Sequence, residues 1–509
     1  MRAFFICLFV CSSISAGLFA QVFPKENDTL NYRIIGFTFP EVPKVGNYAI
    51  EVAKGTYKSA DSFKKNIIKT FHSKSGRVIA EVPSFGASYT WRVSGTQNGK
   101  LTSGKMFHHF ATGTIPFIDT NHMRVRVSTK AQKYENAYFF MDGSRSLYNM
   151  SGDPVWYMPE LAGAVRPNSM IRDLKLSPKG TITFLVDGDA FEISYSGDIL
   201  WKGNSGRKQN SDSMEGYHHE LTRLSNGHYM VLGFEAMVRS RARQRDSLMQ
   251  RGRRDTVAMR ANAMLKKTRY GTIQEYDEAN NLVWSWNAAK YFESQDMTIY
   301  NRINGTPEFD IHENSFYFDE EHKVIYVGFR NVSQVLKISY PSGEVLQAYG
   351  KVTAETAGSQ NLFCGQHSCK RAADGTLYLF NNGCSLATPP KVTVLKEPQT
   401  DKDTVSKVWE FECPVTLMKN IPQTLPNRRL VFSSGGSVNE LPDGSYLVST
   451  CSPYSKVFIV GQNKEILWSC EPEKWNGAKS EWVPLLQYRT SMIADPKDLA
   501  DLIWNSALK

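Results

Sequence analysis

A turn residue followed by a short apolar strand, usually ending in tryptophan, occurs six times along this chain, and no other feature restricts its fold as strongly. The copies are "SGDPVWYM" at 151, "SGDILWKG" at 196, "ANNLVWSW" at 279, "PSGEVLQAYG" at 341, "TVSKVWEF" at 404 and "QNKEILWS" at 462, so their starts lie 45 to 83 residues apart. Between them stand strand pairs opened by turn signals: "SPKGTITFLVDGDAFEIS", "SNGHYMVLGF", "EEHKVIYVGFRNVSQVLKIS", "ADGTLYLFNNG" and "PDGSYLVSTC". Each alternates β-branched or aromatic residues with polar ones, the period of a strand with one buried face. Units of about four strands at this spacing are stable when each buries its faces against its neighbours, which predicts an all-β chain with a six-bladed β-propeller over residues 116–509.

Residues 21–115 carry a different pattern. "YRIIGFTFP", "NYAIEVA", "GRVIAEVP" and "SYTWRVSGTQNG" are short strands split by Pro, Gly and Asn turns, which predicts a small N-terminal β-sandwich, with "ATGTIPFIDTN" (111–121) as the linker to the first repeat. The final segment, "EWVPLLQYRTSMIADPKDLADLIWNSALK", is expected to close the ring and to finish with a short helix after Pro496. Arg2 and the apolar run from Ala3 to Ala20 read as a secretory signal over residues 1–20, which predicts an exported protein with no stable membrane anchor after cleavage. Six cysteines then remain (Cys364, Cys369, Cys384, Cys413, Cys451 and Cys470), an even count that favours disulfides in an oxidising compartment, and the close pair Cys364–Cys369 is the expected bridge.

The formal charge of +10 is not spread over the chain. Residues 239–269, "RSRARQRDSLMQRGRRDTVAMRANAMLKKTR", hold eleven Lys/Arg and two Asp, a net of +9, so the remainder is close to neutral and no nucleic-acid partner is expected. The stretch is rich in helix formers and lacks proline, and Leu248, Met249, Val257, Met259, Met264 and Leu265 supply an apolar stripe, so it reads as a basic helical insertion between strands of one repeat.

A propeller fold does not define an activity, so function has to be argued from side chains. Three repeat entrances carry a histidine: His219 in "YHHELTRLSNGHYMVLG", His312 in "DIHENSFYFDEEHKVIYVGFR" and His367 in "GQHSCKRAADGTLYLFNNG". Each begins the first long strand of its repeat, so the three imidazoles are expected to converge on one end of the central channel. Arg330 ends the strand that answers His312 across a hairpin, and Asn314 lies two residues after His312. Three imidazoles, a guanidinium and a carboxamide, with no evident carboxylate among them, make a donor-rich pocket suited to an oxyanion. Three histidines are also a zinc ligand set, and Cys364, His367 and Cys369 offer three ligands. Against this, Cys-x2-His-x-Cys is not a standard finger, exported thiols oxidise, and a guanidinium repels a dication, so neither metal nor cofactor is expected.

The segments "HHELTRLSNGHYMVLG", "DIHENSFYFDEEHKVIYVGFRNVSQVLKIS" and "GQHSC…DGTLYLFNNG", in this order and behind a small N-terminal sandwich, resemble the bacterial arylsulfate sulfotransferases over nearly the whole mature chain. The most specific part is His312-x-Asn314-Ser315 followed eighteen residues later by Arg330-Asn331-x-Ser333; the chain differs in having Glu220 after His219, where the family often carries Asp. The resemblance implies a periplasmic enzyme that moves a sulfuryl group from an aryl sulfate ester donor to a phenolic acceptor, without a nucleotide sulfate donor, through a sulfated histidine. By motif, His367 would be the nucleophile, with His219, His312, Asn314 and Arg330 around the sulfuryl group; Tyr488 in "LQYRT" is the candidate for stacking the aryl ring. A short-loop disulfide near the nucleophile is also implied, for which Cys364 and Cys369 are at hand. Two other classes stay open from the residues alone: a non-catalytic propeller that binds an anionic ligand, and a metal-dependent hydrolase or lyase. A homodimer is compatible with the sequence but not indicated by it.

Overall fold

Gly180, Gly227, Gly375 and Gly444 end four of the turn signals, and each takes a positive φ (67°, 94°, 87° and 77°) that a side-chain-bearing residue adopts only at a cost. The strands on either side pair directly across each turn: Ile171–Leu176 with Ile182–Val186, Leu221–Arg223 with Tyr229–Met237, His367–Arg371 with Leu377–Asn381, and Ser437–Glu440 with Tyr446–Ser449. A fifth hairpin, Glu313–Asp319 with Val324–Phe329, puts Lys323 in the left-handed position at φ 55°. This is a computed structural model that describes residues 22–507, apart from 43, 98–99, 104–105, 162, 167–168, 204–213, 238–267, 293–308, 351–361, 384–388, 399–403, 416–434, 451–454 and 486. The secretory signal expected over 1–20 and all but the last two residues of the basic stretch 239–269 lie outside the described residues.

The described chain is nearly all β and divides into two compact units. In the first, residues 34–113 with the preceding segment to Leu30, a six-stranded sheet runs in the order Asp28–Leu30, His108–Thr112, Ala87–Gln97, Asn47–Lys54, Ile67–Ser73, with Lys100–Ser103 also on Ala87–Gln97. A two-stranded sheet, Ile34–Thr38 with Arg77–Glu81, packs on it through Phe37, whose ring lies 5.1 Å from that of Trp91 and 6.0 Å from that of Phe110. All three rings are fully buried, so aromatic area fills the space between the sheets.

The second unit holds residues 31–33 and 114–506, and six mainly antiparallel sheets are found among its described residues. Five of the repeated phrases form the outermost strands of their sheets, Pro154–Tyr157, Ile199–Lys202, Leu282–Asn287, Val345–Gly350 and Ser406–Glu412, while the sixth, Ile466–Asn476, pairs onward with Glu481–Pro484 and Met123–Thr129. The tryptophans explain why the phrase recurs. Trp156 Nε1 donates to Tyr195 O in the next sheet (2.7 Å), Trp286 to Gly343 O (3.0 Å), Trp409 to Gln462 O (2.9 Å) and Trp468 of the last sheet to Met150 O of the first (3.0 Å). Each ring thus buries a large apolar surface while its N–H caps a turn carbonyl next door. Consecutive sheets also share cores: Trp201 stacks on Tyr229 at 3.7 Å, Phe316 and Ile325 pack with Tyr270 and Trp286, and Phe380 and Val392 pack with Val438 and Phe458.

The last strand, Thr490–Ile493, does not start a new sheet. It pairs antiparallel with Tyr138–Met141 and completes the first one, and the helix Pro496–Ala507 follows. This delivers residues from near the end of the chain to the innermost edge of the first sheet. Strands Tyr229–Met237 and Thr268–Tyr276 pair along their whole length, with Met237 opposite Thr268, so the basic stretch between them is an excursion from one hairpin of the third sheet. Replacing residues 238–267 by a two-residue Asn-Gly turn is therefore expected to leave a cooperative thermal transition within a few degrees of the parent. Loss of that transition in circular dichroism would show that the stretch is part of the core.

Candidate active site

The innermost strands of the second to fifth sheets enter through a residue with positive φ: Asp173 (57°), His219 (61°), His312 (54°) and Ser368 (54°). A left-handed non-glycine residue costs about 1–2 kcal/mol, and its use at four equivalent entrances re-aims the side chains beside it. In the second, fourth and fifth sheets the strand register also slips at this point, between Arg172 and Lys175, Glu313 and Ser315, and His367 and Lys370. The expected histidines do come together around this ring of entrances. His219 and His312 meet with ring centroids 5.1 Å apart and nearly perpendicular, Tyr488 stands 5.7 Å from His219, and the Arg330 N–H bonds His312 O at 2.9 Å.

His367 is buried, and its hydrogen bonds fix its tautomer. Asn382 Nδ2 donates to Gly435 O (2.9 Å), which turns Asn382 Oδ1 toward His367 Nδ1 at 2.7 Å. Nδ1 must therefore carry the proton, and Nε2 keeps its lone pair, which accepts the Gly435 N–H at 3.2 Å. Burial first, and then the Arg330 guanidinium, hold the pKa of His367 well below the usual histidine range, with His312 and Arg489 adding to the effect against the opposing Asn382 bond. His219 is likewise depressed by burial and by the cationic forms of His218, His312, Arg172 and His367; its Nδ1 lies 2.6 Å from His218 Nδ1, a contact in which one imidazole presents N–H and the other a lone pair. At neutral pH both are uncharged imidazoles inside a positively charged frame.

Two expectations change in detail. Asn314 is fully buried and its Nδ2 donates to Gln366 O at 2.7 Å, so its carboxamide holds the residue preceding His367. The expected Cys364–Cys369 bridge is not formed: Cys369 is a free, buried thiol packed with Tyr326, Val335, Leu377 and Leu379, on a strand face turned into the core. Cys364 lies outside that strand, with Ser333 Oγ 3.6 Å from its sulfur; it is disulfide-bonded, and because Cys369, Cys413 and Cys470 are free its partner is not among the described residues. Within the described residues, no cluster of three or more His, Cys, Asp or Glu has the geometry to hold a metal ion.

Four contributors were not read from the sequence. Arg172 lies 5.4 Å from the Tyr488 ring; it stands eight residues before Gly180, as His219 does before Gly227 and His367 before Gly375, and that spacing was the signal available for it. Asn382 stands seven residues after Gly375, as Arg330 does after Lys323, so the two answer each other in the repeat. Gly435 carries no such signal. Arg489 is buried between Asp173 (2.9 Å) and Glu220 (3.1 Å) and also donates to Asn314 O (2.9 Å). Carboxylates are thus present beside the site after all, committed to Arg489, and a third, Glu313, is buried with neither oxygen hydrogen-bonded and is pushed well above the usual carboxylate range, hence neutral. Asp142 accepts the N–H groups of Tyr488 (3.0 Å) and Arg489 (2.8 Å), and burial pushes it up to about 7 against those donors.

These shifts carry opposite signs. Neutral His219 and His367, depressed below 6.5, contribute stability that is present above 6.5 and is lost as pH falls toward their folded values. Asp142, raised from 3.8 to about 7, contributes stability that is full below 3.8 and is lost as pH rises through 7. Denaturant titrations from pH 7 to pH 5 are therefore expected to show stability falling toward acid, since two imidazoles outnumber one carboxyl, and Asp142→Asn to steepen that loss. A variant no steeper than the parent would contradict the assignment.

Imidazoles, guanidiniums and backbone N–H groups are thus gathered at the strand entrances, a donor set suited to an oxyanion. The family model described as Arylsulfotransferase (ASST) matches residues 124–419, and the chain belongs to that family; membership indicates a sulfotransferase with a small-molecule donor and acceptor. The matched range contains His219, His312, Asn314, Arg330 and His367 but neither Tyr488 nor Arg489. No curated protein matches significantly. Among solved structures the chain is similar to a protein of unknown function from Bacteroides caccae (11% identity, 73% of this chain and 99% of that one, TM-score 0.39). It is also similar to the Dos1 propeller (11%, 67% and 60%, 0.28) and to the periplasmic gluconolactonase of Pseudomonas aeruginosa (9%, 88% and 100%, 0.28).

Proposed function

We propose that this protein is an exported aryl-sulfate sulfotransferase working through a sulfohistidine at His367, on a six-bladed propeller formed by residues 116–509 behind a β-sandwich formed by residues 21–115. The observation that carries the reading is the state of His367: Nδ1–H is held by Asn382, the ring is uncharged, and the Nε2 lone pair is bound only by a long contact to the Gly435 N–H. A neutral imidazole attacks without first losing a proton.

In the first half-reaction the Nε2 lone pair forms the N–S bond while the S–O(aryl) bond breaks and its electron pair departs on the phenolate, which takes a proton from His312 acting as an imidazolium. The N-sulfoimidazolium keeps its Nδ1–H on Asn382, and Arg330 and the Gly435 N–H answer the charge on the sulfuryl oxygens. In the second half-reaction a phenol oxygen attacks sulfur, loses its proton to the same imidazole, and the N–S electrons return to Nε2. Two half-reactions at one site give ping-pong kinetics.

Turnover of 4-nitrophenyl sulfate tests this reading: release of 4-nitrophenolate should rise with added phenol and give parallel double-reciprocal lines. Binding of the ester without turnover would favour a non-catalytic anion-binding propeller, and loss of turnover on chelation would favour a metal-dependent enzyme.

A further inference from the structure

Arg172 is the cation that this chemistry leaves without a task. Its Nε is buried and finds no hydrogen-bond partner, and among the described residues no carboxylate pairs with it, whereas neighbouring Arg489 is held by Asp173 and Glu220. Arg172 as a whole is half-buried and only its Nε–H is both shielded and unanswered, so the position suits a ligand that brings its own acceptor oxygens. Its surroundings say where that ligand would lie. The Arg172 guanidinium sits 5.4 Å from the Tyr488 ring, Tyr488 lies 5.7 Å from His219, and His219 is 5.1 Å from His312, whose carbonyl accepts the backbone N–H of Arg330. Arg172 therefore stands at the His219 end of this row, with the Tyr488 ring beside it. The electrostatics agree: Arg330 is the leading charge acting on His367, and Arg172 is among those acting on His219. The two guanidiniums thus act on different imidazoles, and an aryl ring with an anionic group at each end offers acceptor oxygens to both.

We infer that Arg172, with Tyr488, forms a second anion subsite that selects aryl substrates carrying another anionic substituent, such as a carboxylate, sulfonate or second sulfate, on the ring opposite the reacting group. The inference rests on the proposed sulfuryl site near Arg330 and names the substrate class of that same pocket. The register supports it: Arg172 occupies in the second sheet the place that the nucleophile candidate occupies in the fifth, eight residues before the hairpin glycine, so its side chain starts from an equivalent point on the inner strand.

The test measures binding, so it does not depend on turnover. Benzene-1,4-disulfonate and benzenesulfonate are titrated by calorimetry into the native protein and into Arg172→Gln and Arg172→Lys. The native protein should prefer the disulfonate by roughly 10- to 100-fold, as one charge-assisted pair permits; the preference should collapse to within about threefold in Arg172→Gln and be partly restored in Arg172→Lys. Equal affinities in the native protein would overturn the inference even if a variant failed to fold. So would a loss in Arg172→Gln that is the same for both compounds, because the guanidinium would then serve the shared sulfonate. A retained disulfonate preference without any turnover of 4-nitrophenyl sulfate would instead uphold the subsite and overturn the sulfotransfer mechanism.

Discussion

His367→Ala is expected to lower sulfuryl transfer by a factor on the order of 10⁴ to 10⁶, the scale of removing a nucleophile, while the protein remains folded. The substitution deletes the atom that would form the bond to sulfur and leaves no other imidazole in its place, because His219 is tied to His218. Its structural cost is bounded. Asn382 Oδ1 loses its donor and the Gly435 N–H its acceptor, two buried polar groups each worth about 1–3 kcal/mol when left unmade, while Asn382 stays anchored to Gly435 O. Arg330→Ala should give a smaller loss, about 10²- to 10³-fold, because it removes charge stabilisation and leaves the nucleophile in place. Steady-state rates with 4-nitrophenyl sulfate and phenol, read beside thermal melts, check both; a His367→Ala protein within tenfold of the parent would dismiss the assignment.

The largest effect on stability is expected from Arg489→Met. The buried guanidinium joins Asp173 of the second sheet, Glu220 at the entrance of the third and the Asn314 carbonyl of the fourth, while its own chain continues into the first. Removing it strands two carboxylates in the interior, left with Lys175 at 2.8 Å from Asp173 and 3.7 Å from Glu220 and with one backbone N–H each, from Leu221 and Phe316. Breaking a buried ion pair from one side costs about 3–5 kcal/mol, since the partner charges stay desolvated. Activity should fall as well, because Asn314, which steadies Gln366 beside the proposed nucleophile, loses its anchor. A double variant that also neutralises both acids, Asp173→Asn with Glu220→Gln, should recover part of the lost stability. Chemical denaturation measures this, and a single variant within about 1 kcal/mol of the parent would mean that the cluster is solvated.

The repeat phrase made the outer strands legible because tryptophan performs the same two tasks in several sheets, burying area and capping a neighbour's turn. The three histidines and Arg330 were legible because hairpin turns fix how far each entrance lies from its glycine or lysine. Arg172 and Asn382 share that spacing and could have been found by it. Arg489 and Gly435 could not, since their partners are 53 to 347 positions away and only the closing of the sheets brings them in. The Cys364–Cys369 expectation failed for a local reason: nearness in sequence does not decide pairing when one thiol is turned into an apolar cluster by the strand that carries it.

The central claim is a covalent one, so its most direct test is to catch the bond. The protein is mixed with 4-nitrophenyl sulfate in the absence of any acceptor, quenched under alkaline conditions that preserve N–S bonds, digested and analysed by mass spectrometry. The account predicts one equivalent of 4-nitrophenolate released in a burst and one sulfuryl group on the peptide that contains His367, discharged on adding phenol and absent from His367→Ala. A sulfuryl group on any other residue, or steady turnover with no adduct at all, would contradict it.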